Sequence, residues 1–184
     1  MVRLAPDSLF SFPLGDNYWS KAVFLKSDYE PEIRRLLMAV RDIPYVFIDC
    51  GSNYGYWSVQ VTGKQFGAHR AVAIEAAQSN VPQLEANARL NGGRFEVLHR
   101  AAFSRSGETL QIYGKNHFGL TVAPGESGKR NTVQQFMVET ITLDDAGAML
   151  AVSIGTPLII KLDVEGAEAD ALAGAAALLK RNVL

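Results

Sequence analysis

Four short, largely apolar runs stand at residues 45–48, 71–74, 95–98 and 158–162, and helix-patterned segments separate the first three. Runs this short and this apolar read as strands covered on both faces. Their alternation with helices predicts a β-α-β-α-β unit, and so a doubly wound, mainly parallel α/β sheet of the Rossmann-like class. The first helix is expected from Pro31, which suits an opening turn, with Ile33, Leu36, Leu37 and Val40 at helical spacing, and it should end before Pro44. The second is expected over about 55–62. The third is expected over 81–90, with Ser79 as N-cap, Pro82 in the first turn and Asn91-Gly92-Gly93 as the stop. Further on, 109–113 and 134–141 alternate like antiparallel strands, an inserted hairpin, around a polar segment at 114–131 long enough to serve as a lid. A short helix at 143–150, the last strand at 158–162 and one Ala/Leu-rich helix at 167–180 complete the pattern. Residues 1–28 are aromatic and irregular, with turn signals at Pro13, at Gly15-Asp16-Asn17 and at Ser27-Asp28. The division is therefore an irregular N-terminal segment, 1–28, and a cofactor-binding domain, 29–184.

Ligands of open parallel sheets bind beyond the carboxyl ends of the strands. The residues at those ends are Asp49, Glu75, the 98–102 segment and Asp163, and three of the four positions end in a carboxylate. Behind Asp49 comes Cys50-Gly51-Ser52-Asn53-Tyr54-Gly55, a strand-to-helix loop in which glycine lets backbone and ligand approach closely. Glu75 stands where an acidic side chain accepts hydrogen bonds from ribose hydroxyls. A pyrophosphate would meet repulsion here, because Asp49 precedes the loop and the loop holds no Lys or Arg; the cationic end of S-adenosylmethionine would be attracted. Asp163 and Glu165 sit where the fourth parallel strand meets the site and could orient an acceptor or remove a hydroxyl proton. For Asp163, the end of a buried strand is a costly place for a charge without a use. Glu168 and Asp170 fall in the first turn of the last helix, where a structural role suffices.

Composition removes several classes of function. With 18 Lys+Arg, 19 Asp+Glu and a net charge of −1, the chain lacks the basic excess of a nucleic-acid binder, and its basic pairs (Arg34-Arg35, Lys129-Arg130, Lys180-Arg181) read as surface. The single cysteine, Cys50, ends an apolar run and reads as a small buried residue; no Cys/His cluster suggests a metal site. The histidines, His69, His99 and His117, are scattered. Gly128-Lys129 is no phosphate loop, since Arg130 follows the lysine and Ala123 stands where its first glycine would be. No run is long and apolar enough for a membrane span, and the N-terminus does not read as a signal peptide, so a cytoplasmic protein without membrane contact is expected.

In order, the stretches V-F-I-D-C-G-S-N-Y-G (46–55), A-I-E-A (73–76), A-A-F-S-x-x-G (101–107), T-L-D (142–144) and I-I-K-L-D-V-E-G-A-E (159–168) resemble the FkbM-type family of class I methyltransferases. The resemblance runs from about Tyr29 onward and implies S-adenosylmethionine-dependent methylation, usually on oxygen, of a small molecule or glycan. It implies that Asp49, Gly51, Ser52, Asn53 and Gly55 line the methionine part of the cofactor and that Glu75 holds the ribose. It further places Ala102 near the adenine, and Asp163, with Glu165 close by, at the reacting centre. Tyr29-Glu30-Pro31-Glu32 resembles the segment before the family's first helix, which gives Glu30 a part in covering the site. This chain has Gly51-Ser52-Asn53 where the family commonly has Gly-Ala-Asn, and Glu75-Ala76 where it has Glu-Pro. The class I fold normally carries three more strands after the last helix, so the domain reads as truncated. The apolar edge left at 158–162 is expected to be covered by a homo-oligomer partner or by the N-terminal segment. Two other readings share these features: an NAD-dependent oxidoreductase, disfavoured by Asp49 and by the absence of a Tyr-x-x-x-Lys pair, and a truncated, catalytically inactive binding module.

Overall fold

The computed structural model describes residues 1–25, 29–114, 134–153 and 155–182. Of the 114–131 segment expected to form a lid, only Gly114, the last residue of a strand, falls among them; the rest, with His117 and Lys129-Arg130, lies outside the described residues.

The chain opens with a hairpin of β1 (Val2–Ala5) and β2 (Ser8–Phe10), then α1 (Asn17–Ser20), which continues into a π-helical turn over Lys21–Leu25. The alternating unit follows: α2 (Pro31–Ala39), β3 (Val46–Cys50), α3 (Tyr56–Val61), β4 (Arg70–Glu75), α4 (Val81–Leu90) and β5 (Glu96–His99). Next come β6 (Ala101–Ala102), β7 (Thr109–Gly114), β8 (Gln134–Ile141), α5 (Leu143–Met149), β9 (Leu158–Leu162), α6 (Glu168–Ala173) and α7 (Ala176–Asn182).

Four strands form one all-parallel sheet in the order β5-β4-β3-β9. The order reverses between β3 and β9: from β3 the chain winds out through β4 to β5, then returns to add β9 on the other side. A reversal of this kind splays the flanking loops apart and opens a crevice at the carboxyl end of the sheet. Alternation along the strands builds a core on each face. Phe47, Ala71 and Ala73 pack with Trp57, Leu84 and the N-terminal Phe10 and Trp19, while Val46, Ile48, Cys50, Val72 and Ile74 pack with Leu143, Ala146, Ala171 and Leu178. The result is a three-layer α/β/α sandwich, as the alternation of runs and helices predicts. Cys50 is wholly buried in the second core, and burial pushes its thiol up, so it is packing rather than chemistry. β7 and β8 pair antiparallel, and β8 also takes β6 in parallel.

Several local expectations are corrected. Residues 1–25 are not irregular: β2 docks on α4, where the side-chain amides of Asn87 and Asn91, one turn apart, pair with the backbone of Leu9 and Ser11 at 2.7–2.9 Å and do the work of a neighbouring strand. The N-cap of α4 is Asn80, one residue later than expected. The 158–162 strand is only half-buried along its length and, among the described residues, lies at the sheet edge; the N-terminal hairpin packs instead against α3 and α4. The helix expected over 167–180 is two helices. Gly174 sits at the break because a β-carbon there would lie 2.2 Å from the Phe103 carbonyl oxygen, and the Asp144 carboxylate caps α7, accepting from the Ala177 and Leu178 amides at 3.0 and 2.8 Å.

Candidate active site

One cavity opens at the β3/β9 reversal, and Asp49, Gly51, Ser52, Asn53, Glu75, Ala102, Asp163 and Glu165 all line it. Gly55 does not. It occupies the N-cap of α3 in the left-handed region, and a β-carbon on it would meet Leu84 at 2.6 Å. Gly51, also left-handed, would carry its β-carbon 1.9 Å from the Asp163 carbonyl oxygen. Both glycines are therefore demanded by the protein's own packing. At Gly51 the first loop and the end of β9 touch, backbone to backbone, and this contact brings Asp49 and Asp163 into one site.

Asp49 is 1 % exposed. Its Oδ2 accepts from the Ser58 hydroxyl at 2.7 Å, while Oδ1 is buried with no hydrogen-bond partner among the described residues. Burial pushes its carboxyl up; the nearby Lys161 ammonium and the Ser58 hydrogen bond oppose the rise. Glu75, 5 % exposed, accepts from the Asn53 amide at 2.7 Å through one oxygen, and from the Ala77 amide at 2.8 Å and the Asn80 side chain at 3.3 Å through the other. Burial outweighs these bonds and raises its carboxyl to about 7. Asn53 is held in the left-handed region by its own side chain, which accepts from the Trp19 indole at 2.9 Å and from the Tyr54 amide at 2.8 Å. Asp163 corrects an expectation: its side chain is 54 % exposed, so its charge carries little burial cost. Glu165, at the cavity mouth, has a left-handed backbone (φ 50°), a conformation that costs a residue with a side chain about 1–3 kcal/mol. Glu168 accepts from the Gly166 amide at 3.1 Å, a local turn role.

Residues not foreseen complete the walls. The strongest omission is Lys161, which stands in register opposite Asp49 and bonds Asp163 Oδ2 at 3.2 Å, with 12 % of its side chain exposed. The first loop is free of cations, as its sequence says, but a cation from a strand far away in the chain stands beside it. A lone lysine in the apolar run Leu-Ile-Ile-Lys-Leu was the available signal, since a buried ammonium requires a carboxylate. Tyr18, Trp19, Tyr29, Tyr56 and Trp57 form an aromatic wall, with Tyr29 and Tyr56 edge-on at 5.0 Å and the Tyr18 and Tyr29 hydroxyls 2.8 Å apart. Burial pushes the Tyr29 phenol up, so it stays protonated. Glu30 accepts from the Trp57 indole and so anchors the start of α2 to the wall.

A family model described as the methyltransferase FkbM domain matches residues 49–184. Among solved structures, methyltransferase FkbM from Methylobacillus flagellatus KT is 20% identical over 74% of this chain, at a TM-score of 0.48. The chain spans only 30% of that protein's length. The 1,6-didemethyltoxoflavin-N1-methyltransferase of Burkholderia thailandensis, solved with 1,6-didemethyltoxoflavin and S-adenosylhomocysteine bound, is 13% identical over 79% of this chain and 73% of its own, at a TM-score of 0.35. No curated protein sequence matches.

Proposed function

Because the chain belongs to the methyltransferase FkbM domain family, we propose that it transfers a methyl group from S-adenosylmethionine to a hydroxyl oxygen of a small molecule or glycan. One observation carries the cofactor reading: Asp49 Oδ1, a buried acceptor in the cavity wall that accepts from no donor among the described residues. Leaving such an atom unpaired costs about 1–3 kcal/mol, and an ammonium is the donor its charge selects. S-adenosylmethionine brings that ammonium, and when bound it supplies an electrophilic methyl group on a sulfonium. In this reading Asp49, Gly51, Ser52 and Asn53 surround the methionine end, Gly55 shapes the turn into α3, Glu75 takes the ribose and Ala102 faces the adenine. Ser52 Oγ, buried and also without a partner among the described residues, adds a second polar atom to that wall.

The protein's part in the reaction is alignment and proton removal. The aromatic wall of Tyr18, Trp19, Tyr29, Tyr56 and Trp57 excludes water and offers flat faces to the acceptor and to a sulfonium. Asp163, exposed enough to meet the acceptor, would take the proton of the acceptor hydroxyl, and the bound cofactor would supply the methyl group to that oxygen. Glu165 lies on the same rim.

Calorimetry with S-adenosylmethionine, S-adenosylhomocysteine and NAD tests the reading. Binding of the two sulfur nucleosides without NAD is expected; tight NAD binding without either of them would overturn it. Asp163→Asn is expected to lower kcat by about a hundredfold or more while leaving the affinity for S-adenosylhomocysteine within about threefold. An unchanged kcat would take Asp163 out of the mechanism.

A further inference from the structure

Lys161 interrupts an apolar strand, with Ile159 and Ile160 before it and Leu162 after it. Its side chain is 12 % exposed, and its ammonium faces the cavity with Asp163 Oδ2 at 3.2 Å. Burial pulls its pKa down, but the carboxylates of Asp49, Asp163 and Glu30 together outweigh burial and leave it raised, so the group is a fixed cation and not a base. Among the described residues the other cation of the lining, Arg100, is half-exposed and paired with Glu139 at 3.3 Å on the rim. A buried cation in register beside a buried carboxylate, one oxygen of which has no hydrogen-bond partner among the described residues, forms a receptor for opposite charges a few atoms apart: the ammonium and carboxylate of one α-amino acid.

We propose that Lys161 binds the α-carboxylate of the cofactor's amino-acid end, exchanging its contact with Asp163 for that carboxylate while Asp49 Oδ1 takes the ammonium. The inference rests on the methyl-donor reading above and adds to it a residue and a chemical requirement. The exposed Asp163 carboxylate gives up its lysine at small cost because water can replace it, whereas Asp49 cannot leave its site. The exchange also frees Asp163 to receive the acceptor once the cofactor is in place.

The test compares S-adenosylhomocysteine with its decarboxylated counterpart, in which hydrogen replaces the α-carboxylate, by calorimetry on the full chain. Wild type should bind the carboxylate-bearing ligand about 30-fold more tightly, and Lys161→Gln should lose most of that preference while binding the decarboxylated ligand within about threefold of wild type. Lys161→Arg should keep the preference. Equal binding of the two ligands by wild type would overturn the inference and leave the methyl-donor reading intact, and this arm needs no variant to fold. Equal weakening of both ligands in Lys161→Gln would make Lys161 a structural counter-ion only and overturn the inference as well. Binding of neither ligand to wild type would overturn the methyl-donor reading itself, and the inference with it.

Discussion

Glu75 shows how one residue serves both fold and site. Its carboxyl gathers the amides of Asn53 and Ala77 and the Asn80 side chain, tying the first loop to the end of β4. Burial nevertheless holds its folded pKa at about 7, against 4.5 for the free side chain. The sign of the pH effect follows. Below pH 4.5 both folded and unfolded chains hold the proton; between 4.5 and 7 the unfolded chain releases it first; stability therefore falls as pH rises through that window and levels off above it. The loss from this one group is about 3 kcal/mol. Urea denaturation should show Glu75→Gln close to wild type at pH 5, where Glu75 is itself neutral in the fold, and gaining on wild type by pH 8, because only wild type must ionise a buried carboxyl; the gap between the two therefore changes with pH. A gap that does not change between the two pH values would mean that Glu75 titrates in the ordinary range.

At the scale of elements, the long final helix fails for a reason that its composition hides. The sequence Ala167 to Lys180 has no internal Pro and good helix formers, so propensity alone continues it. Close packing at Gly174 against Phe103, and a carboxylate from α5 that caps the start of α7, turn it into two pieces. Asp144→Ala should cost about 0.5–2 kcal/mol of unfolding free energy by urea denaturation, the usual worth of a cap, with no change in nucleoside affinity, since α7 packs in the core of the opposite sheet face from Trp57 and the aromatic wall. A change in affinity larger than twofold would show that the two faces are coupled. The stop of α4 at Asn91-Gly92-Gly93, by contrast, is local chemistry and stands where the sequence puts it; Gly92 and Gly93 both take left-handed backbone there.

For the molecule as a whole, a ligand seated between β3 and β9 joins strands from opposite ends of the chain, so binding should stabilise the entire fold. S-adenosylhomocysteine at a hundred times its Kd should add about 2.7 kcal/mol, a rise of about 5–10 °C in Tm for a chain this size, and NAD should add nothing. A NAD-induced rise without one from S-adenosylhomocysteine would count against the methyl-donor reading. β9 stands at the edge of the sheet among the described residues, and a second copy laid along it is the assembly that the homo-oligomer expectation describes; sedimentation of the full chain reads it directly.

The strand runs, their order of alternation with helices, and the carboxylates Asp49, Glu75 and Asp163 at strand ends were all legible in the sequence. Each follows from local periodicity and from the rule that parallel strands deliver their carboxyl ends to one side. The register of Lys161 beside Asp49, the exposure of Asp163, the aromatic wall that joins Tyr18 and Trp19 of the N-terminal segment to Tyr29 and to Tyr56 and Trp57 of α3, and the true reason for Gly51 were decided only by the tertiary structure. All four depend on β9 lying beside β3 in one particular register and on the first residues folding back over α3 and α4. That register is set by the packing of both sheet faces at once, and no local pattern in either strand encodes it.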